Sequence, residues 1–129
     1  MTKEEILNMP AGSEINALFA ELVMEWKKEK YQGVWGESFY WIDSQNSMKH
    51  IGDCFCPSTN ISHAFEGEGK LKTAADTWRY VNFLEEIIEF DAGFQVIYPS
   101  FDMIHATAHQ RTRALILWAM EKEATNDKT

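Results

Sequence analysis

The chain has 129 residues, 45% of them apolar and 25% charged, with 20 acidic against 12 basic side chains and a formal net charge of -8. That length supports one hydrophobic core, and the 13% aromatic content excludes a disordered or low-complexity polymer. The acidic balance argues against generic nucleic-acid binding, which needs clustered Lys and Arg, and no apolar run reaches the roughly 20 residues that span a bilayer.

Thr2 and Glu5 have the spacing of a capping box, which predicts a short helix over residues 3 to 8 that stops at Pro10. A second helix is expected from Ser13, with Ile15, Leu18, Phe19, Leu22, Val23 and Trp26 on one stripe, and with Lys27, Lys28, Lys30 and then Gly33 marking its end. The aromatic run inside Trp35 to Asp43 reads as a strand. Asp43 to Ser47 reads as its turn, and Met48 to Cys54 as the returning strand of a hairpin. Phe55 to Asn60 is a loop whose Ser58, Thr59 or Asn60 can cap a helix opening at Ile61. Gly67 and Gly69 interrupt that helix, and a longer one resumes near Thr73, with Trp78, Val81, Leu84, Ile87 and Ile88 inward and Asp91 to Gly93 as its stop. Phe94 to Tyr98 and Met103 to Thr107 read as a second strand pair around the turn Pro99 to Asp102. A last helix follows over about His109 to Glu123, with Ala114, Leu117, Trp118 and Met120 inward. The reading is therefore a single domain over residues 1–124 with a frayed tail over 125–129. Its class is α+β, a small antiparallel sheet layered with helices.

The N-terminal stretch Met1 to Gly12, the central Phe55-Cys56-Pro57-Ser58-Thr59-Asn60-Ile61-Ser62-His63-Ala64-Phe65-Glu66 and the later Arg113-Ala114-Leu115 together resemble the phage ABA-sandwich domain family. These are small phage and prophage proteins with a sheet between helical layers. The matching segments cover about a quarter of the chain, and the segment Gly67 to Phe90 is longer and more helical than the family pattern. The resemblance implies a phage-type anti-defence protein of the Thoeris branch. Such a protein is a sponge that sequesters a cyclic ADP-ribose-type immune signal without cleaving it, so neither an enzyme nor a cofactor is expected.

Holding a phosphate calls for free N–H groups at a helix start, neighbouring hydroxyls and an Arg fork. The candidate ligand-binding residues are therefore Pro57, Ser58, Thr59 and Asn60 with His109, Arg111 and Arg113. Phe94, Tyr98 and Phe101 offer faces on which a base could stack. The expected partners are a small nucleotide-derived signal and further copies of the chain in a homo-oligomer, with no nucleic acid and no membrane.

Other constellations are weaker. His50, Asp53, Cys54, Cys56 and His63 lie within 14 residues, but Cys-x-Cys with scattered His fits structural zinc poorly. Two cysteines one residue apart cannot staple distant segments and are expected as thiols, and the opening MTKEEILNMP lacks the apolar core of a secretory signal, so the expected location is the cytoplasm. His105 and His109 flank a helix start without an accompanying nucleophile motif. Glu85, Glu86 and Glu89 fall on the solvated side of their helix, and the five tryptophans read chiefly as core. The competing function is an inhibitor that docks directly on a host protein through an acidic face.

Overall fold

The computed structural model describes residues 1–93 and 99–127, with side chains described over 1–93 and 102–124. Helix α1 (Lys3–Asn8) starts at the expected capping box, in which Thr2 Oγ1 accepts from the Glu5 N–H at 3.2 Å and Glu5 Oε1 accepts from the Thr2 N–H at 3.2 Å. Helix α2 (Ser13–Leu18) continues into one wider π-type turn over Phe19–Val23. The chain then reverses at Glu25, which takes a left-handed conformation with φ 59, while the Trp26 N–H bonds back to the Ala20 carbonyl at 2.9 Å.

That reversal corrects the expected helix end. Lys27, Lys28, Lys30 and Gly33 do not terminate a helix; Lys27–Gly33 is strand β1. It pairs antiparallel with β2 (Gly36–Ile42), from Lys27 opposite Ile42 to Gly33 opposite Gly36. Strand β3 (Met48–Ile51) completes the antiparallel order β1-β2-β3 and is shorter than expected, because Gly52–Cys54 forms a single 3-10 turn. The β2–β3 connection is held by Asp43, whose carboxylate accepts from the N–H groups of Gln45 and Ser47, each at 2.9 Å.

Helix α3 (Ile61–Glu68) is capped by Asn60, and α4 (Ala74–Ala92) runs from a Thr73–Asp76 capping box to a left-handed Gly93 with φ 77. The expected strand Phe94 to Tyr98 lies outside the described residues. The expected strand Met103 to Thr107 does not form. Pro99 to Ile104 is helix α5, and the Pro99 to Asp102 segment belongs to it. Proline is well suited to a first helical position, where its missing N–H has no partner to lose. Thr107 then caps α6 (Ala108–Asp127), accepting from the Gln110 N–H at 3.0 Å and donating its own N–H to Gln110 Oε1 at 3.0 Å. The α6 backbone stays helical past Thr125 to Asp127.

The class is α+β, a three-stranded antiparallel sheet beside a helical body. At the centre of that body is α6, buried on every side from Thr112 to Ala119 and packed against α1, α3, α4 and the π turn. Such an all-round apolar surface marks a helix enclosed by others. Ile6, Ile15, Phe19, Phe55, Ile87, Leu115 and Ile116 form the most deeply buried core. Trp26, Trp41 and Trp118 are buried as expected of core tryptophans, whereas Trp35 is 99% exposed at the β1–β2 tip and Trp78 is 68% exposed on α4. The buried face of α4 is Tyr80, Leu84, Ile87 and Ile88. Trp78, six positions before Leu84, falls roughly 120° round the helix from it, which carries it outward.

Gly67 is where α3 meets the core most closely, since a Cβ there would run into the rings of Phe19 and the Leu115 methyl. Both neighbours are fully buried and cannot yield. Gly67→Ala is expected to lower stability by about 2 kcal/mol through overpacking, read as a lower urea midpoint.

Candidate functional site

Among the described residues, the side chains of the predicted phosphate site are engaged within the fold. Arg113 is 2% exposed and turns inward. Its Nη2 lies 2.5 Å from Asp91 Oδ2, its Nη1 donates to Asp91 Oδ1 and to the Leu7 carbonyl at 3.0 Å each, and its Nε donates to the His109 carbonyl at 3.4 Å. One guanidinium thus ties the end of α1 and the end of α4 to α6. Arg111 is committed as fully: Nη1 donates to Glu68 Oε2 at 2.9 Å, Nε to the Ala106 carbonyl at 3.2 Å, and Nη2 to the carbonyls of Met103 and Ile104 at 3.1 and 3.2 Å. It closes the exposed carbonyl end of α5 and lies 5.2 Å from the Phe65 ring centre.

Pro57 and Ser58 of the hydroxyl loop are likewise internal, whereas Thr59 and Asn60 are exposed. Ser58 donates its N–H and its hydroxyl to Asn16 Oδ1 at 3.0 and 2.7 Å and accepts from the Gly12 N–H at 3.1 Å, which bolts the loop to the start of α2. Pro57 is buried beside it, the Thr59 hydroxyl bonds the Cys56 carbonyl at 3.4 Å, and Asn60 accepts from the N–H groups of Ser62 and His63. His109 Nε2 sits 2.8 Å from the Met9 carbonyl. The side chains of Phe94, Tyr98 and Phe101 lie outside the described ones. For Ser58 and Arg113 the physical reason is burial: in a low-dielectric interior, donors must find fixed partners, and these two have done so.

The potential metal ligands divide among separate contacts. The rings of His50 and His63 meet at 5.0 Å, but His63 Nδ1 accepts from the Cys56 N–H at 3.0 Å and His50 Nε2 faces Glu66 at 3.8 Å. Among the described residues no three such groups converge as a metal site. Burial first, and the neighbouring His50 second, hold His63 below the usual histidine range.

Among the described residues, two adjoining hollows share Glu25, Lys70 and Lys72. The larger, about 760 Å³, lies between the sheet and α3 and is lined by Met24, Glu25, Trp26, Asp43, Ser44, Gln45, Lys49, His50, Glu66, Gly69, Lys70 and Lys72. The smaller, about 250 Å³, lies on the other side of Lys70 and Lys72 and adds Leu22, Val23, Trp118, Ala119, Lys122 and Glu123, with Glu25 again on its wall. None of the seven predicted site residues with described side chains lines either hollow. Lys70 and Lys72 are not among the residues that the sequence assigned to a site. The available signal was two lysines beside a glycine in the short link between helices.

In the larger hollow Glu25, Asp43 and Glu66 face Lys49, Lys70 and Lys72, and in the smaller three lysines face Glu25 and Glu123. Lys49 lies 3.4 Å from Asp43, whereas Lys70, Lys72 and Lys122 make no ion pair among the described residues. Compared with known proteins, the chain matches no family model, no curated protein and no solved structure.

Asp91 carries the buried guanidinium. Burial alone would raise its carboxyl, but the bonds from Arg113 and Gln110 outweigh it and hold the group below the usual carboxylate range. Asp91→Asn is expected to cost about 2 kcal/mol at pH 7, because Arg113 would stay buried with half its partner gone. Because the folded carboxyl is depressed, its contribution is full above about pH 4 and is lost as pH falls through the lower folded value. Urea titrations at pH 7 should therefore separate variant and wild type, and the gap should close only below about pH 4.

Proposed function

We propose that this chain is a binding protein that holds a small nucleotide-type ligand, unaltered, in the larger hollow. The observation that carries the reading is that Trp26 and His50 line one cleft of about 760 Å³ together with Lys70 and Lys72. That volume falls within the roughly 300–1,000 Å³ typical of small-ligand sites. A planar base can lie against the ring edges, while Ser44 and Gln45 offer neutral donors and acceptors and the lysines attract the phosphate. The cations matter because the chain as a whole is strongly acidic, so an anion approaching elsewhere is repelled.

The anti-defence role, sequestration of a cyclic ADP-ribose-type signal, is the use that fits such a cleft together with the resemblance of the Met1 to Gly12, Phe55 to Glu66 and Arg113 to Leu115 segments to phage ABA-sandwich proteins. Holding without cleavage is what the role requires.

A second reading, direct docking on a host protein, draws on Val34 and Trp35, 94% and 99% exposed at the β1–β2 tip. Calorimetry with cyclic nucleotides and AMP separates the two. The cleft reading predicts saturable binding, recovery of unchanged ligand after heating, and at least a tenfold weakening, about 1.4 kcal/mol, when Lys70 and Lys72 are both changed to Gln. Altered ligand after heating would make the chain an enzyme, and absence of binding would leave the docking reading.

A further inference from the structure

Lys70 and Lys72 serve two hollows at once, and the second is built around a fixed indole. Trp118 is 2% exposed and donates its Nε1–H to Asp76 Oδ1 at 3.3 Å. The other oxygen of Asp76 accepts the N–H of Lys72 at 3.2 Å, so the backbone of Lys72 is registered against the same ring. The Lys122 ammonium lies 5.2 Å from the Trp118 ring centre, which fixes a second cation there from α6. Lys70, Lys72 and Lys122 therefore surround about 250 Å³ of space with no carboxylate in ion-pair contact with any of them among the described residues. Glu123 and Glu25 also line the space without closing on a lysine.

Like charges held near one another without counterions are unfavourable, and an anion between them removes that repulsion. Glu25 stands on the wall of both hollows, held there by its left-handed backbone. A non-glycine residue in that conformation is strained, and such strain collects at functional positions. A carboxylate on the wall shared by the two hollows suits a hydrogen-bond donor such as a sugar hydroxyl, and it opposes a phosphate at that same point.

Glu25, Lys70 and Lys72 line both hollows, Trp26 and His50 the larger and Lys122 the smaller, and from this arrangement we infer that the second hollow is a phosphate subsite. The ligand class is then a nucleoside carrying two or more phosphates, with its base against Trp26 and His50, its sugar hydroxyls at Glu25 and its outer phosphate among Lys70, Lys72 and Lys122. The inference rests on the binding reading above and adds to it the length and charge of the ligand.

The test is the ratio of affinities for ADP and AMP, measured by calorimetry on wild type and on Lys122→Gln, with near-ultraviolet circular dichroism to establish that both are folded. Wild type should bind ADP about tenfold more tightly than AMP, a ratio of the size expected for one added charge-assisted contact, and the ratio should fall toward one in the variant. Lys122→Glu should depress it further. If AMP binds but ADP binds no better, or if the ratio is the same in wild type and Lys122→Gln, the second subsite is wrong while the cleft reading stands. If neither nucleotide binds wild type, the cleft reading itself has failed and the subsite falls with it.

Discussion

A helix enclosed on every side cannot carry a charge inward without a fixed counter-charge, and α6 carries Arg113 into the core. Its pairing with Asp91 is the contact on which the helical body depends, because the same guanidinium also takes the terminal carbonyl of α1 and links it to α4. Coulomb attraction in such surroundings is strong, but so is the penalty of desolvation, and the balance holds only while every donor is met. Arg111 repeats the arrangement two residues earlier, on nearly the opposite side of α6, closing α5 and meeting Glu68, which also accepts the Tyr80 hydroxyl. Burial, together with Glu68, drives that hydroxyl well above the ordinary tyrosine range, so it remains a donor to the carboxylate.

This constraint bears on where the proposed anionic ligand can go. Two of the three arginines are structural fastenings, and Arg79 is at the surface, 3.8 Å from Glu121. What remains is a small set of lysines whose ammonium groups are unpaired among the described residues, and the fold gathers three of them at the link between α3 and α4 and the outer face of α6. Lysine suits such a place, being a mobile point charge on a flexible stem, whereas the planar fork of arginine suits the fixed bidentate pairing found inside.

Much of the architecture was legible in the residues. Thr2 with Glu5, Asn60 before Ile61, Thr73 before α4 and Gly93 after it are local devices that act within a few residues, so their chemistry can be read without the rest of the fold. Strand β1 was hidden because Lys27 to Gly33 is exposed on both faces and shows no alternation, and because its start is set by the backbone reversal at Glu25, where neither glycine nor asparagine signals a left-handed residue. The Met103 to Thr107 segment misled for a similar reason: an apolar run of a few residues fits a strand or a helix end equally, and the Thr107–Gln110 cap decided it. The candidate site was legible only in its parts. Arg113 opens the unbroken apolar run Ala114 to Met120, a pattern that foretells a buried helix and hence a buried arginine, yet a guanidinium beside a hydroxyl loop also has the chemistry of a phosphate clamp. Which of the two it is depends on Asp91 and Leu7, 22 and 106 residues distant in the chain.

The central claim is that the arginines hold the fold and the lysines meet the ligand. Titration of AMP into isotope-labelled protein, followed by nitrogen–proton correlation spectra of backbone amides and arginine Nε groups, tests it most directly. The account predicts concentration-dependent shifts at Met24 to Trp26, Ser44, Gln45 and Lys70 to Lys72, with the Nε signals of Arg111 and Arg113 unmoved. Shifts centred on those two guanidinium groups and on Ser58 to Asn60 would contradict it.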